Sequence, residues 1–218
     1  IEIPGALAQG DFSVVASITD AAGNDTTANS SGNVDTITPV ITVDALGLGN
    51  DSTPVVSGTS TEPEGTVVNI VITDSNGDET PITATVDANG NWQAISPELP
   101  EGSYSVQASI TDAAGNTDSA VQSGTIDSLA PTLVLDTVGA TNDSTPTISG
   151  STNAPAGTVI SISVSDGTTT ETFTATVQAD GSWSADVPNA LSDGELTIEA
   201  SVSDNAGNTT TLSETATL

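Results

Sequence analysis

Residues 104–116 read YSVQASITDAAGN. In the first seven, Tyr104, Val106, Ala108 and Ile110 are apolar, with Ser105, Gln107 and Ser109 between them. Period two over seven residues argues a strand with one buried face. The remaining six, Thr111-Asp112-Ala113-Ala114-Gly115-Asn116, are suited to a tight turn. The whole stretch recurs. Phe12, Val14, Ala16 and Ile18 lead into TDAAGN at 19–24, and Leu196, Ile198, Ala200 and Val202 lead into SDNAGN at 203–208. Asp20, Asp112 and Asp204 stand 92 residues apart. That period is too long for a solenoid repeat and suits one small domain per repeat.

Other landmarks keep the same step. Asn50-Asp51-Ser52-Thr53-Pro54 returns as Asn142-Asp143-Ser144-Thr145-Pro146, Gly58 as Gly150 and Pro63 as Pro155. The chain therefore divides into residues 1–36, the C-terminal part of one repeat, and two repeats at 37–128 and 129–218. The first piece is expected to start mid-domain and to be too small to close a core alone.

Val, Ile and Thr dominate, and turn signals recur at Asn76-Gly77, Asn89-Gly90, Asp166-Gly167 and Asp180-Gly181. Each repeat holds about seven strands, the rhythm of an immunoglobulin-like sandwich. The expected fold is all-β, a series of tandem immunoglobulin-like sandwiches in an extended array. In the middle repeat we place strands A to G at 39–45, 53–58, 66–73, 80–86, 91–96, 103–110 and 118–126. Trp92 and Trp183 are expected in the core between the sheets.

The chain has 29 acidic residues, no Lys, Arg or His, and a formal net charge of −29. Nothing here neutralises phosphate, so nucleic acid and anionic membrane surfaces are excluded as partners. No apolar run is long enough to insert into a membrane. The chain has no Cys, so disulfides and thiol chemistry are excluded too.

Successive strands of a sandwich reverse direction, so the loops can be assigned to ends. The F–G loop, which carries TDAAGN, lies at the end where the chain enters its own repeat. The entering linkers also carry an acid: Asp35 before the middle repeat, Asp127 before the last, 92 apart. The first junction thus gathers Asp35, Asp112 and Asn116, and the second Asp127, Asp204 and Asn208. Asp11 and Glu62 add to the first, and Asp51 or Glu101 to the second. The last repeat has Ala154 and Ala156 where the middle one has Glu62 and Glu64, so the two sites need not be alike. Two carboxylates about 5 Å apart repel by roughly 3 kcal/mol at an effective dielectric near 20. Oxygen-only ligands on loops suit Ca²⁺ better than Zn²⁺ or Mg²⁺. The plain alternative is that Asp and Asn only cap their own turn.

The D-(T/S)-x-x-P linker, N-D-S-T-P, (A/D)-(N/D)-G-x-W and T-D-A-A-G-N together resemble the bacterial immunoglobulin-like repeats of giant type I-secreted adhesins, the RTX adhesins among them. The resemblance implies a structural spacer in the stalk of a Gram-negative surface protein, stiffened by Ca²⁺ bound between neighbouring repeats. It carries the calcium role to Asp35, Asp112, Asn116, Asp127, Asp204 and Asn208. Asp20 and Asn24 match the motif without their entering linker. The implied partners are neighbouring repeats of the same chain, with a host-cell surface reached through other parts of the protein; the implied state is a monomer outside the cell. The competing reading is a module that itself grips a glycan or host protein. With only 2 Trp, 1 Tyr and 2 Phe, most at core parity, an aromatic platform lacks support. An enzyme is disfavoured because the acids repeat with the domains, and most nucleophile–base pairs are missing.

Overall fold

The computed structural model describes residues 5–218. Sixteen strands and no helix are found among them. They are β1 (Gly10–Thr19), β2 (Asp25–Val34), β3 (Leu48–Gly49), β4 (Val55–Thr59), β5 (Val67–Thr73), β6 (Glu79–Thr85), β7 (Asn91–Ile95) and β8 (Gly102–Thr111). The rest are β9 (Thr117–Ile126), β10 (Leu133–Leu135), β11 (Thr147–Thr152), β12 (Val159–Ser165), β13 (Thr170–Thr176), β14 (Ser182–Asp186), β15 (Glu195–Ser203) and β16 (Thr209–Thr217).

In the last repeat β10-β11-β14 form one sheet and β13-β12-β15-β16 the other. This is an immunoglobulin-like sandwich. Its inner faces are the alternating residues that the sequence marks. Ile160, Ile162 and Val164 of β12 and Leu196, Ile198, Ala200 and Val202 of β15 all enter one core with Trp183. The middle repeat repeats the plan, with β3-β9-β8-β5-β6 in one sheet and the β4-β7 pair in the other.

Two details depart from the expected strands. Strand A of the middle repeat is reduced to an isolated bridge between Ile41 and Ser60, although the Thr42 and Asp44 amides still bond to the Thr59 and Ser57 carbonyls. The chain then crosses to the opposite sheet, where β3 runs parallel to β9, pairing Leu48 with Thr125 and Gly49 with Ile126. A two-residue strand has no periodicity to read.

The first piece is a hairpin in which β1 pairs antiparallel with β2 from Gly10–Val34 to Thr19–Asp25. Its side chains follow the same parity as β8, but among the described residues no second sheet covers them. Val14 and Ile18 are 44% and 71% exposed, whereas their counterparts Val106 and Ile110 are fully buried. A hairpin without a covering layer buries too little to be stable alone.

The described residues form two compact units. One holds the chain up to Leu46 with Thr53–Glu98 and Tyr104–Ser123; the other holds Gly47–Ser52, Leu99–Ser103 and Gly124–Leu218. Asp11, Asp35, Glu62, Asp112 and Asn116 therefore belong to the first unit. Asp51, Glu101, Asp127, Asp204 and Asn208 belong to the second.

Candidate calcium-binding loops

The F–G loops are closed by their own aspartates. Asp112 Oδ1 accepts the amides of Ala114 at 2.9 Å and Asn116 at 2.8 Å. Asp204 Oδ1 accepts those of Ala206 and Asn208, both at 2.9 Å. The turn demands a left-handed residue, and Gly115 and Gly207 supply it at φ 95° and 93°. The same geometry is built at Asp20, whose Oδ1 accepts Ala22 and Asn24. The turn-capping reading of these residues is thus realised at all three positions.

The asparagine then does more than close a turn. Asn116 Nδ2 donates to Asp112 Oδ2 at 2.7 Å and to the Asp35 carbonyl at 3.2 Å. Asn208 Nδ2 donates to Asp204 Oδ2 at 2.8 Å and to the Asp127 carbonyl at 2.7 Å. Each amide therefore bridges a loop carboxylate and a linker carbonyl 81 residues away along the chain. All four side chains at these two loops are half-buried, whereas Asp20 and Asn24 are exposed. Asp127, Asp204 and Asn205 also line one groove, together with Leu48 and Ala156.

These hydrogen bonds hold the Asp112 and Asp204 carboxyls below the usual aspartate range. The largest cause in each is the side-chain amide of Asn116 or Asn208, and the backbone amides add to it. Asp20 is lowered in the same way by Asn24.

The remaining expected residues take other partners. Asp35 Oδ1 accepts the Gln9 side-chain amide at 2.9 Å and the Ile37 amide at 3.0 Å. Asp127 Oδ1 accepts the Leu129 amide at 3.3 Å. Asp11 Oδ1 accepts Asn33 Nδ2 across the hairpin at 2.7 Å. Glu101 Oε1 accepts the Ser128 amide at 2.9 Å and its hydroxyl. Asp51 is exposed between β3 and β4, and Glu62 is half-buried in the B–C loop. Among the described residues no three carboxylates converge on one point. Asp11, Asp35, Glu101 and Asp127 turn instead to nearby N–H groups, the available positive dipoles in a chain without cationic side chains.

Two features escaped the sequence reading. Gln9 and Glu101 are 92 apart, as are Thr36 and Ser128. Gln9 Oε1 accepts the Thr36 amide at 2.8 Å and its hydroxyl at 3.0 Å, the bonds that Glu101 makes to Ser128. The common period is the signal for this pair, and charge does not reveal it because Gln9 is neutral. Asp44 and Asp136, also 92 apart, accept the Ser57 and Ser149 hydroxyls at 2.6 and 2.8 Å.

A family profile described as bacterial Ig-like domain matches residues 42–128 and again 132–218, and a second of the same description matches residues 2–36. Among solved structures, the chain is similar to a tetra-tandem repeat in the extending region of a large adhesion protein. Identity there is 33%, over 97% of this chain and 57% of that one, with a TM-score of 0.43. It is 27% identical to a Ca²⁺-stabilized adhesin described as helping an Antarctic bacterium reach out and bind ice, over 95% of this chain and 56% of that one, TM-score 0.43. A 1.5-MDa bacterial ice-binding adhesin is 25% identical over 96% of this chain and 74% of that one, TM-score 0.43. The chain thus spans little more than half the length of the first two. A search of curated proteins finds no match.

Proposed function

Because the chain belongs to the family of bacterial Ig-like domains, we propose that it is a length of adhesin stalk, stiffened by Ca²⁺ held where each linker meets the following F–G loop. The repeats at 37–128 and 129–218 act as spacers, and residues 1–36 close a further repeat. They belong outside the cell, on a Gram-negative surface reached by type I secretion. Their partners are the neighbouring repeats; other parts of the protein touch the host cell.

One observation carries this reading. At both junctions an asparagine amide links the loop carboxylate to the linker carbonyl, with the same atoms and the same spacing. The residues fit calcium. The atoms gathered around each amide are a hard carboxylate oxygen and a backbone carbonyl oxygen, and the amide itself carries a further oxygen. No thiolate or imidazole is present to favour a softer ion. Asp35 and Asp127, Asp112 and Asp204, and Asn116 and Asn208 would hold the ion, with Asp11, Asp51, Glu62 and Glu101 as outlying carboxylates. When bound, calcium neutralises charge and ties linker to loop. The chain's own part is to bring these oxygens together by folding, so that binding and stability are linked. Extracellular modules bind at about 10⁻⁴–10⁻³ M, within the range of calcium outside the cell.

Small-angle scattering and melting of the chain in calcium and in chelator test this. Calcium is expected to extend the longest dimension toward a rod, each repeat adding on the order of 40 Å from strands of about 3.3 Å per residue and their loops. It is also expected to raise the melting midpoint. Asp204→Asn should weaken calcium binding at its junction by about tenfold or more, since ligand charge sets affinity in such sites. Identical curves in the two buffers would remove the proposal.

A further inference from the structure

We propose that Gln9 clasps the first linker before any ion binds, and that its counterpart Glu101 leaves the second linker unclasped until one does. The second half rests on the calcium reading above; the first does not.

Gln9 uses both ends of its amide. The oxygen accepts the amide and hydroxyl of Thr36 at 2.8 and 3.0 Å, and the nitrogen donates to Asp35 Oδ1 at 2.9 Å. Asp35 Oδ1 also takes the Ile37 amide at 3.0 Å, which completes a ring of bonds over three successive linker residues. A partial positive charge from the amide N–H thus rests on the linker carboxylate, the position a cation would otherwise serve. At the second linker the oxygen's bonds are kept: Glu101 Oε1 accepts both donors of Ser128. The nitrogen's bond is not. An ionised glutamate is an acceptor only and has no N–H to give Asp127. That turn therefore carries two negative groups where the first carries one with a donor against it. Gln9 is a positioning residue for the linker, and the Gln–Glu exchange sets the two junctions apart.

Amide hydrogen exchange of the 218-residue chain, followed by NMR, reads both linkers at once. In chelator, Gln9→Glu should speed exchange at Thr36 and Ile37 by about tenfold, the size of one lost hydrogen bond, while leaving Ser128 and Leu129 unchanged. Calcium should slow Ser128 and Leu129 in the parent chain by more than Thr36 and Ile37, whose amides the clasp already protects. Glu101→Gln should bring the second linker's response to calcium down to that of the first. Gln9 is exposed, so near-ultraviolet dichroism of the two tryptophans should stay constant and report an intact fold. No effect of Gln9→Glu in chelator would overturn the clasp. Equal slowing of both linkers by calcium would overturn their difference. Calcium without effect on any amide would overturn the stalk reading and the role of Glu101, with the clasp still decided by the chelator arm.

Discussion

Trp92 and Trp183 are 2% and 1% exposed, and each lies across from a glycine in the neighbouring strand, Gly58 or Gly150. The glycines are there because nothing larger fits. A Cβ on Gly150 would stand 1.9 Å from the Val134 carbonyl oxygen and 2.5 Å from the Trp183 ring; on Gly58 it would stand 1.9 Å from the Thr42 carbonyl. Backbone of strand A lies on one side and the indole on the other, so neither can move without opening the core. Each indole N–H is buried without a protein acceptor. An unmade bond of that kind costs about 1–3 kcal/mol. Burying roughly 150–250 Å² of ring at about 25 cal/mol per Å² returns some 4–6 kcal/mol, so the ring stays inside. Gly150→Ala should destabilise the last repeat by about 3 kcal/mol, the upper range for overpacking a tight core. Urea denaturation followed by tryptophan fluorescence checks this; a midpoint within error of the parent would show that strand A yields freely.

Single turns are where acid residues stabilise elements of this chain. Asp166, in the turn between β12 and β13, is the fullest case. Its Oδ1 accepts the amides of Thr168 and Thr169 and the Thr168 hydroxyl, and its Oδ2 reaches across to the Ser192 amide at 2.8 Å. These bonds hold its carboxyl far below the usual aspartate range, the Ser192 amide contributing most. A carboxyl depressed by folding stabilises fully above the unfolded value, about pH 3.9, and loses that contribution as pH falls through the folded one. Parent minus Asp166→Asn stability should therefore be flat from pH 7 to about 4.5 and shrink below about pH 4. Acid titration of both proteins by circular dichroism measures it, and a gap that widens on acidification would refute the assignment. The same elements show what sequence could reveal. Alternation located β8 at Gly102–Thr111 against an expected 103–110, and β5, β6 and β7 within a residue or so, because one face of each is buried. It could not show β3, which is too short, or the fraying of strand A at the crossover between sheets. Asp112, Asn116, Asp204 and Asn208 were legible because they repeat with a constant step. The carbonyls of Asp35 and Asp127 were not, since every residue has one, nor was Gln9, whose role depends on hydrogen bonds and not on charge.

Over the whole molecule the governing fact is charge of one sign. At −29 with no cationic side chain, every long-range term is repulsive. The fold answers locally, by turning carboxylates onto amides and hydroxyls, but such bonds do not reduce net charge. Two ways of relieving the repulsion then make different demands. Screening by salt is indifferent to the ion's identity beyond its valence, and shortens the Debye length from about 30 Å at 0.01 M to about 8 Å at 0.15 M. A site built from carboxylate and carbonyl oxygens on loops discriminates, taking Ca²⁺ with its flexible shell over Mg²⁺, which demands near-octahedral geometry and parts with water reluctantly. In chelator, raising sodium chloride from 0.01 to 0.15 M should lift the melting midpoint by a few degrees, on the basis that about 1 kcal/mol moves a domain of this size by roughly 4–8 °C. At constant ionic strength, millimolar calcium should add a further rise that magnesium does not reproduce. Equal midpoints in the two divalent ions would mean that the acidic surface is merely screened, and that the asparagines at 116 and 208 close their loops and grip the linkers with no ion to share the task.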